Sequence, residues 1–339
     1  MRIDEIDLIR GVGILAVVMV HVVSHGIFYS YGNATANVIL DALSRFCVPF
    51  FVFVSGAVFS YNYHDKKKYY GNFLFKRLRY IAIPYLLWSI LGFVRYKIYA
   101  PQKIIIGLLT GNAMIHLYFI VLIFQFYIMS PILIHLCKIN WKKTIVPSFL
   151  VNIMVLSVYS YLPIFANMNV NLGEYLQPFI NPLFWFAYFV AGITVGINMD
   201  GFRELVARLR LTTLFTAWFF IMVISICEEY FIYVNKGFIQ HFFRPSNMLY
   251  SFVSIIFLWK LHGRINSCMK QVFSILGRYS FGIYLSHIPI LFVIHKITKP
   301  YWGNPLELLF SFFVCTGISF TFTFLISRTK AGVLIVGKA

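Results

Sequence analysis

Arg10 and His21 stand inside the apolar run DLIRGVGILAVVMVHVVSHG, where neither residue type belongs without a reason. A guanidinium stays cationic and grips phosphate or carboxylate oxygens, whereas an imidazole takes up and releases a proton near neutrality. On a helix turning about 100° per residue, the spacing brings His21 to within ~20° of Arg10, roughly 16 Å further along the axis. The two share a face. Asp7, one turn earlier, can pair with Arg10, and Ser24 and His25 extend the polar stripe beyond His21. A charge near the centre of a bilayer costs about 2.5–3.5 kcal/mol, so such a stripe needs partners or a wet cavity. The alternative is that Arg10 snorkels to an interface while His21 makes a hydrogen bond between helices.

Further ionisable residues recur in apolar segments. Arg45 enters the second segment at a depth near His21, His116 and Gln125 lie on the fourth, Glu228 and Glu229 near the outer end of the seventh, and His287 on the ninth with Ser280 and Tyr284. Any one of them could serve as a structural hydrogen bond; together they outline a polar interior. Arg77 and Arg79 sit at the entrance of the third segment, where orientation alone accounts for basic residues. The five cysteines are far apart, show no metal-ligand spacing and read as apolar packing, and no metal is expected.

The elements that must position these residues are membrane helices. The chain of 339 residues is 60% hydrophobic and 12% charged, which excludes an ordinary soluble domain. Apolar runs near the ~20 residues needed to cross a bilayer cover 8–29, 37–61, 79–98, 114–137, 144–163, 181–198, 211–234, 246–261, 279–296 and 306–327. The reading is an all-α, polytopic bundle of ten transmembrane helices, a single membrane-embedded domain over 1–339 with no separate soluble domain and no cleaved signal peptide. Segment 100–113 reads as a short interfacial or re-entrant piece, and 164–180 as an outside loop.

Lysine and arginine alternate with the spans. Lys66, Lys67, Lys68, Lys76, Arg77 and Arg79 fall on one side, joined by Lys138, Lys142 and Lys143, by Arg203, Arg208 and Arg210, and by the groups around Arg264, Arg278 and Arg328. The other side holds seven: Arg95, Lys97, Lys103, Lys236, Arg244, Lys296 and Lys299. Both termini are therefore expected in the cytoplasm. The net charge of +18 follows from this orientation and from contact with anionic lipid, so it does not call for nucleic acid.

The string IDLIRGVGILAVVMVH resembles the opening of the acyltransferase-3 family of integral membrane acyltransferases, whose first helix carries Arg and His separated by ten residues. SRFCVPFFVFVSGAVF, KRLRYIAIPYLLWS, HLYFIVLIFQFYIMSP, FVAGITVG and LGRYSFGIYLSHIP follow in the family's order. Two positions depart from its pattern: Tyr80 stands where an arginine is common before Pro84, and Tyr118 replaces the aromatic of the usual HLWF string.

The resemblance implies transfer of an acyl group, commonly acetyl from acetyl-coenzyme A, to a hydroxyl of a surface glycan or exopolysaccharide in a multi-pass bacterial cell membrane. In that scheme His21 is the base, with Arg45 beside it for oxyanion charge. Arg10, Arg77 and Arg79 meet the donor from the cytoplasm, and His116, Glu228 and His287 contact substrate. A covalent acyl intermediate remains an open variant. The rival class is an exporter or flippase for polysaccharide or lipid-linked sugar, which ten helices and a polar interior suit equally.

Overall fold

The computed structural model describes residues 3–28, 34–63, 70–165, 172–236, 242–302 and 304–337. They form helices α1 (Asp4–Phe28), α2 (Ala34–Ser44), α3 (Cys47–Tyr63), α4 (Tyr70–Arg95), α5 (Pro101–Thr110), α6 (Tyr118–Phe165) and α7 (Leu172–Leu176). After them come α8 (Phe186–Ile197), α9 (Met199–Arg208), α10 (Leu211–Lys236), α11 (Pro245–His262), α12 (Ser267–Thr298), α13 (Pro305–Ser327) and α14 (Gly332–Val336), with no strand among the described residues. Lys66, Lys67 and Lys68, counted above, and residues 166–171 of the expected outside loop, with Asn167, Asn169 and Asn171, lie outside the described residues.

Helix starts follow local chemistry. Asn198, Asn266 and Asn304 accept the backbone N–H of Gly201, Met269 and Leu306, and proline occupies the first turn of α5, α11 and α13, where a missing N–H costs nothing. Among the described residues, six stretches of helix are long and apolar enough to cross a membrane by length and composition. One expected helix is two: the second apolar segment breaks at Arg45 and Phe46 into α2 and α3, so Arg45 occupies a turn and not a helix interior. Two expected helices are joined as α6, whose backbone leaves helical geometry at Asn140, φ −158° and ψ 97°. That break falls among Lys138, Lys142 and Lys143, where the sequence placed a basic turn, and at none of the helix's prolines.

Apolar content alone does not say which helix is central. In α1 72% of the span is buried, against 11% in α10 and 22% in α13, because glycines let α1 meet its neighbours backbone to backbone. A Cβ on Gly277 of α12 would stand 2.1 Å from the Asp7 carbonyl oxygen, and one on Gly11 would stand 2.1 Å from that of Phe273. The same device joins α3 and α8, where a Cβ on Gly192 would lie 2.1 Å from the Phe53 oxygen.

The C-terminal segment returns to this end of the bundle. Trp88 Nε1 donates to the Ile335 oxygen at 2.9 Å, and Gly337 abuts Phe281, one turn from Gly277. Arg203 of the short amphipathic α9 grips both Glu5 oxygens at 2.9 and 3.1 Å, and this hydrogen bonding raises the arginine's pKa above its ordinary value.

Candidate active site

The close approach of α1 and α12 sets two polar faces side by side. On α1, Arg10 and His21 line one cavity of about 630 Å³, as the helical spacing required. On α12, Ser280, Tyr284 and His287 recur at helical spacing, and the first two also line the cavity. Asp7, Arg10, Tyr80 and Arg278 mark the end at the first turns of α1. His21 and His116 lie at the deep end, and the walls between include Val17, Phe51, Phe119 and Ile123. A chamber with apolar walls and few polar groups is the usual form of a small-molecule site.

At the deep end three imidazoles meet. The His287 ring centre is 5.1 Å from that of His21 and 5.1 Å from that of His116, and His116 is 5.1 Å from the Tyr284 ring. Tyr284 donates its hydroxyl proton to the His116 backbone oxygen, which fixes the start of α6 against α12. Ser280 is 1% exposed, and its Oγ has no hydrogen-bond partner among the described residues. No group of three histidine, cysteine or carboxylate residues among the described residues is arranged to hold a metal.

Beyond His21 lies a second polar region. Arg45 donates from Nε to Asp41 at 2.6 Å, pairs again with Asp41 through Nη2, reaches Ser24 at 3.4 Å and stacks on Phe242 at 4.6 Å. Arg244, wholly buried, pairs with Glu229 at 2.5 Å and lies 3.7 Å from Glu228, which accepts from Tyr161 and Ser246. Asn247 Nδ2 donates to the Arg45 carbonyl at 3.5 Å and to the Phe242 carbonyl at 3.3 Å.

These positions revise the sequence reading residue by residue. Arg10, His21 and His116 share the cavity, and His287 packs against its deep end. Glu228 belongs to the ion pairs and does not line the cavity. Gln125 donates to the Ile180 oxygen at 2.8 Å and so pins a connecting segment. Arg79 is exposed and absent from the cavity wall, whereas Arg278 is on it; the side chains of Arg77 and His25 lie outside the described residues. Arg244, counted above as an external loop charge, is the buried partner of Glu229. Asp41 was missed, although its i,i+4 spacing to Arg45 was a readable signal.

Comparison with known proteins decides the class. A family model described as an acyltransferase domain, acyltransferase-3, matches residues 3–324. The chain belongs to the acyltransferase-3 family. Among relatives of this membrane acyltransferase is the Bacillus subtilis (strain 168) protein named "Putative membrane-bound acyltransferase YfiQ", 26% identical over 100% of this chain and 95% of the relative. Staphylococcus aureus strains MRSA252 and MSSA476 carry a "Probable poly-beta-1,6-N-acetyl-D-glucosamine export protein", 24% identical over 80% of this acyltransferase and 78% of each relative. No solved structure gives a significant match.

Proposed function

We propose that this acyltransferase moves an acyl group, acetyl in the simplest case, from cytoplasmic acyl-coenzyme A to a hydroxyl of a cell-surface glycan or exopolysaccharide in a bacterial membrane. The observation carrying this reading is the cavity running from Arg10 and Arg278 to His21. Two guanidiniums suit the coenzyme's phosphates, and the apolar walls suit a long pantetheine arm ending in a thioester near His21. His21 then acts as general base: it takes the hydroxyl proton as oxygen attacks the acyl carbon, the C–S bond breaks, and the departing thiolate recovers the proton. Arg45, its fork held by Asp41, does not line the cavity; it orders the outer end of α1 through Ser24 and so acts on His21 by position, not by touching oxyanion charge. His116, in the turn that leads into α6 and not on the helix where the sequence reading placed it, frames the acyl carbon.

In this reading the chain crosses the membrane ten times, the two halves of α6 each crossing once, and both termini are cytoplasmic, in keeping with the lysines around Asn140. The names of the Staphylococcus relatives favour a second reading, glycan export. Proteoliposomes with labelled acetyl-coenzyme A and acceptor glycans separate the two. Label is expected in the glycan and absent with His21→Ala. Glycan movement without donor consumption would establish export instead.

A further inference from the structure

One imidazole nitrogen at the deep end of the cavity has its protonation set by its neighbours. His287 Nδ1 lies 2.7 Å from the Tyr284 oxygen and 3.2 Å from the Ile283 oxygen. Carbonyl oxygens only accept, so Nδ1 carries the ring proton and Nε2 of the neutral ring holds a lone pair. His287 is completely buried, and Nε2 has no hydrogen-bond partner among the described residues. A buried acceptor without a donor is destabilising, so its presence beside a reactive site calls for a use.

The imidazole of a general base is commonly oriented by a carboxylate accepting from its second nitrogen. Here the carboxylate on the cavity wall is Asp7, three to four helical turns from His21, and Asp41, Glu228 and Glu229 serve Arg45 and Arg244. Among the described residues, the His287 ring packs against that of His21, with their centres 5.1 Å apart.

We propose that His287 is the positioning residue of His21: once substrate is bound, the two rings, 5.1 Å apart between centres, close a bond in which His287 Nε2 accepts the His21 N–H and the other His21 nitrogen is turned, as a lone pair, toward the acceptor hydroxyl. This rests on His21 being the base. The hydroxyl proton passes to His21 as the O–C bond forms, then to sulfur as the C–S bond breaks. His287 keeps its Nδ1 proton throughout and gains none. A neutral acceptor does this work without adding a charge to the membrane interior, which a carboxylate would.

The test uses the full chain in nanodiscs. In His287→Gln an amide oxygen replaces the Nε2 acceptor; His287→Asn places its amide near Nδ1 and nothing at Nε2. Two measurements are made: kcat and KM for acetyl-coenzyme A, and, independent of turnover, the rate at which diethyl pyrocarbonate modifies His21, read by mass spectrometry. Expected for His287→Asn is a kcat loss of about 100-fold with donor KM within about threefold, and a several-fold change in His21 modification. His287→Gln is expected to stay within about tenfold in kcat, with His21 modified as in the unaltered protein.

Equal behaviour of Asn and Gln in both measurements overturns the proposal, as does a His116→Phe variant that reproduces His287→Asn. If His21→Ala retains turnover, the base reading fails instead, and the modification rates still decide whether His287 orients the His21 ring.

Discussion

Two buried polar regions meet along α1, and they differ in how their groups are paired. Past Ser24, Arg45 and Arg244 each find a carboxylate within hydrogen-bonding distance, and nearby hydroxyl and amide groups join them. On the cavity wall Ser280 Oγ, and packed against its deep end His287 Nε2, have no hydrogen-bond partner among the described residues. Buried ions survive only when paired, because an uncompensated charge is so costly. Neutral imidazoles and hydroxyls can be left waiting for a ligand at a smaller cost. The first arrangement is what holds helices in place, and the second is what a reactive site keeps ready.

The sharpest way to break this contrast is at its two centres. His21→Ala should lower acyl transfer by about 100- to 10,000-fold, the usual range for a positioned base, with thermal unfolding in detergent little changed. A well-folded His21→Ala variant that still transfers would move the chemistry elsewhere. Arg244→Ala should do the reverse, destabilising the bundle by about 3–5 kcal/mol by leaving Glu229 as an uncompensated buried charge. The double variant Arg244→Met with Glu229→Leu should regain most of that loss, since apolar replacement of a whole buried pair is often neutral. Thermal unfolding of the single and double variants checks this, and equal instability of both would show that the pair does more than balance charge.

The same contrast explains what was legible in the sequence. Arg10 and His21 were readable because one helix fixes both through its own periodicity, and α12 displays Ser280, Tyr284 and His287 by the same rule. What could not be read was which helices touch. Arg244 looks like a loop charge until α10 and α11 pack and Glu229 arrives beside it. Arg79 and Arg278 are equivalent in sequence as basic residues at the entrance of an apolar segment, yet only the latter lines the cavity, because Gly277 lets α12 close on Asp7. The all-helical, membrane-spanning character was visible from composition. The break at Arg45 was not, since the run on either side is apolar and continuous.

Within the cavity, effects should shrink from the charged groups to the neutral ones. Arg10→Ala and Arg278→Ala should each raise donor KM by about 10-fold with kcat less affected, the mark of lost ground-state binding, and Arg79→Ala should change neither by more than about twofold. A large effect of Arg79 alone would place the donor outside the cavity described.

Ser280 gives the smallest and most discriminating case. Its hydroxyl is buried, faces the cavity and lacks a hydrogen-bond partner, so it has little to lose in the free protein and one hydrogen bond to gain with a ligand. Ser280→Ala should therefore leave thermal stability unchanged or slightly raised, while donor affinity falls about three- to tenfold, the worth of one neutral hydrogen bond. Isothermal titration with a non-hydrolysable acyl-coenzyme A analogue measures the second quantity and an unfolding curve the first. Lower stability with unchanged affinity would mean that Ser280 belongs with the ion pairs as scaffold, and the cavity's unpaired face would shrink to His287.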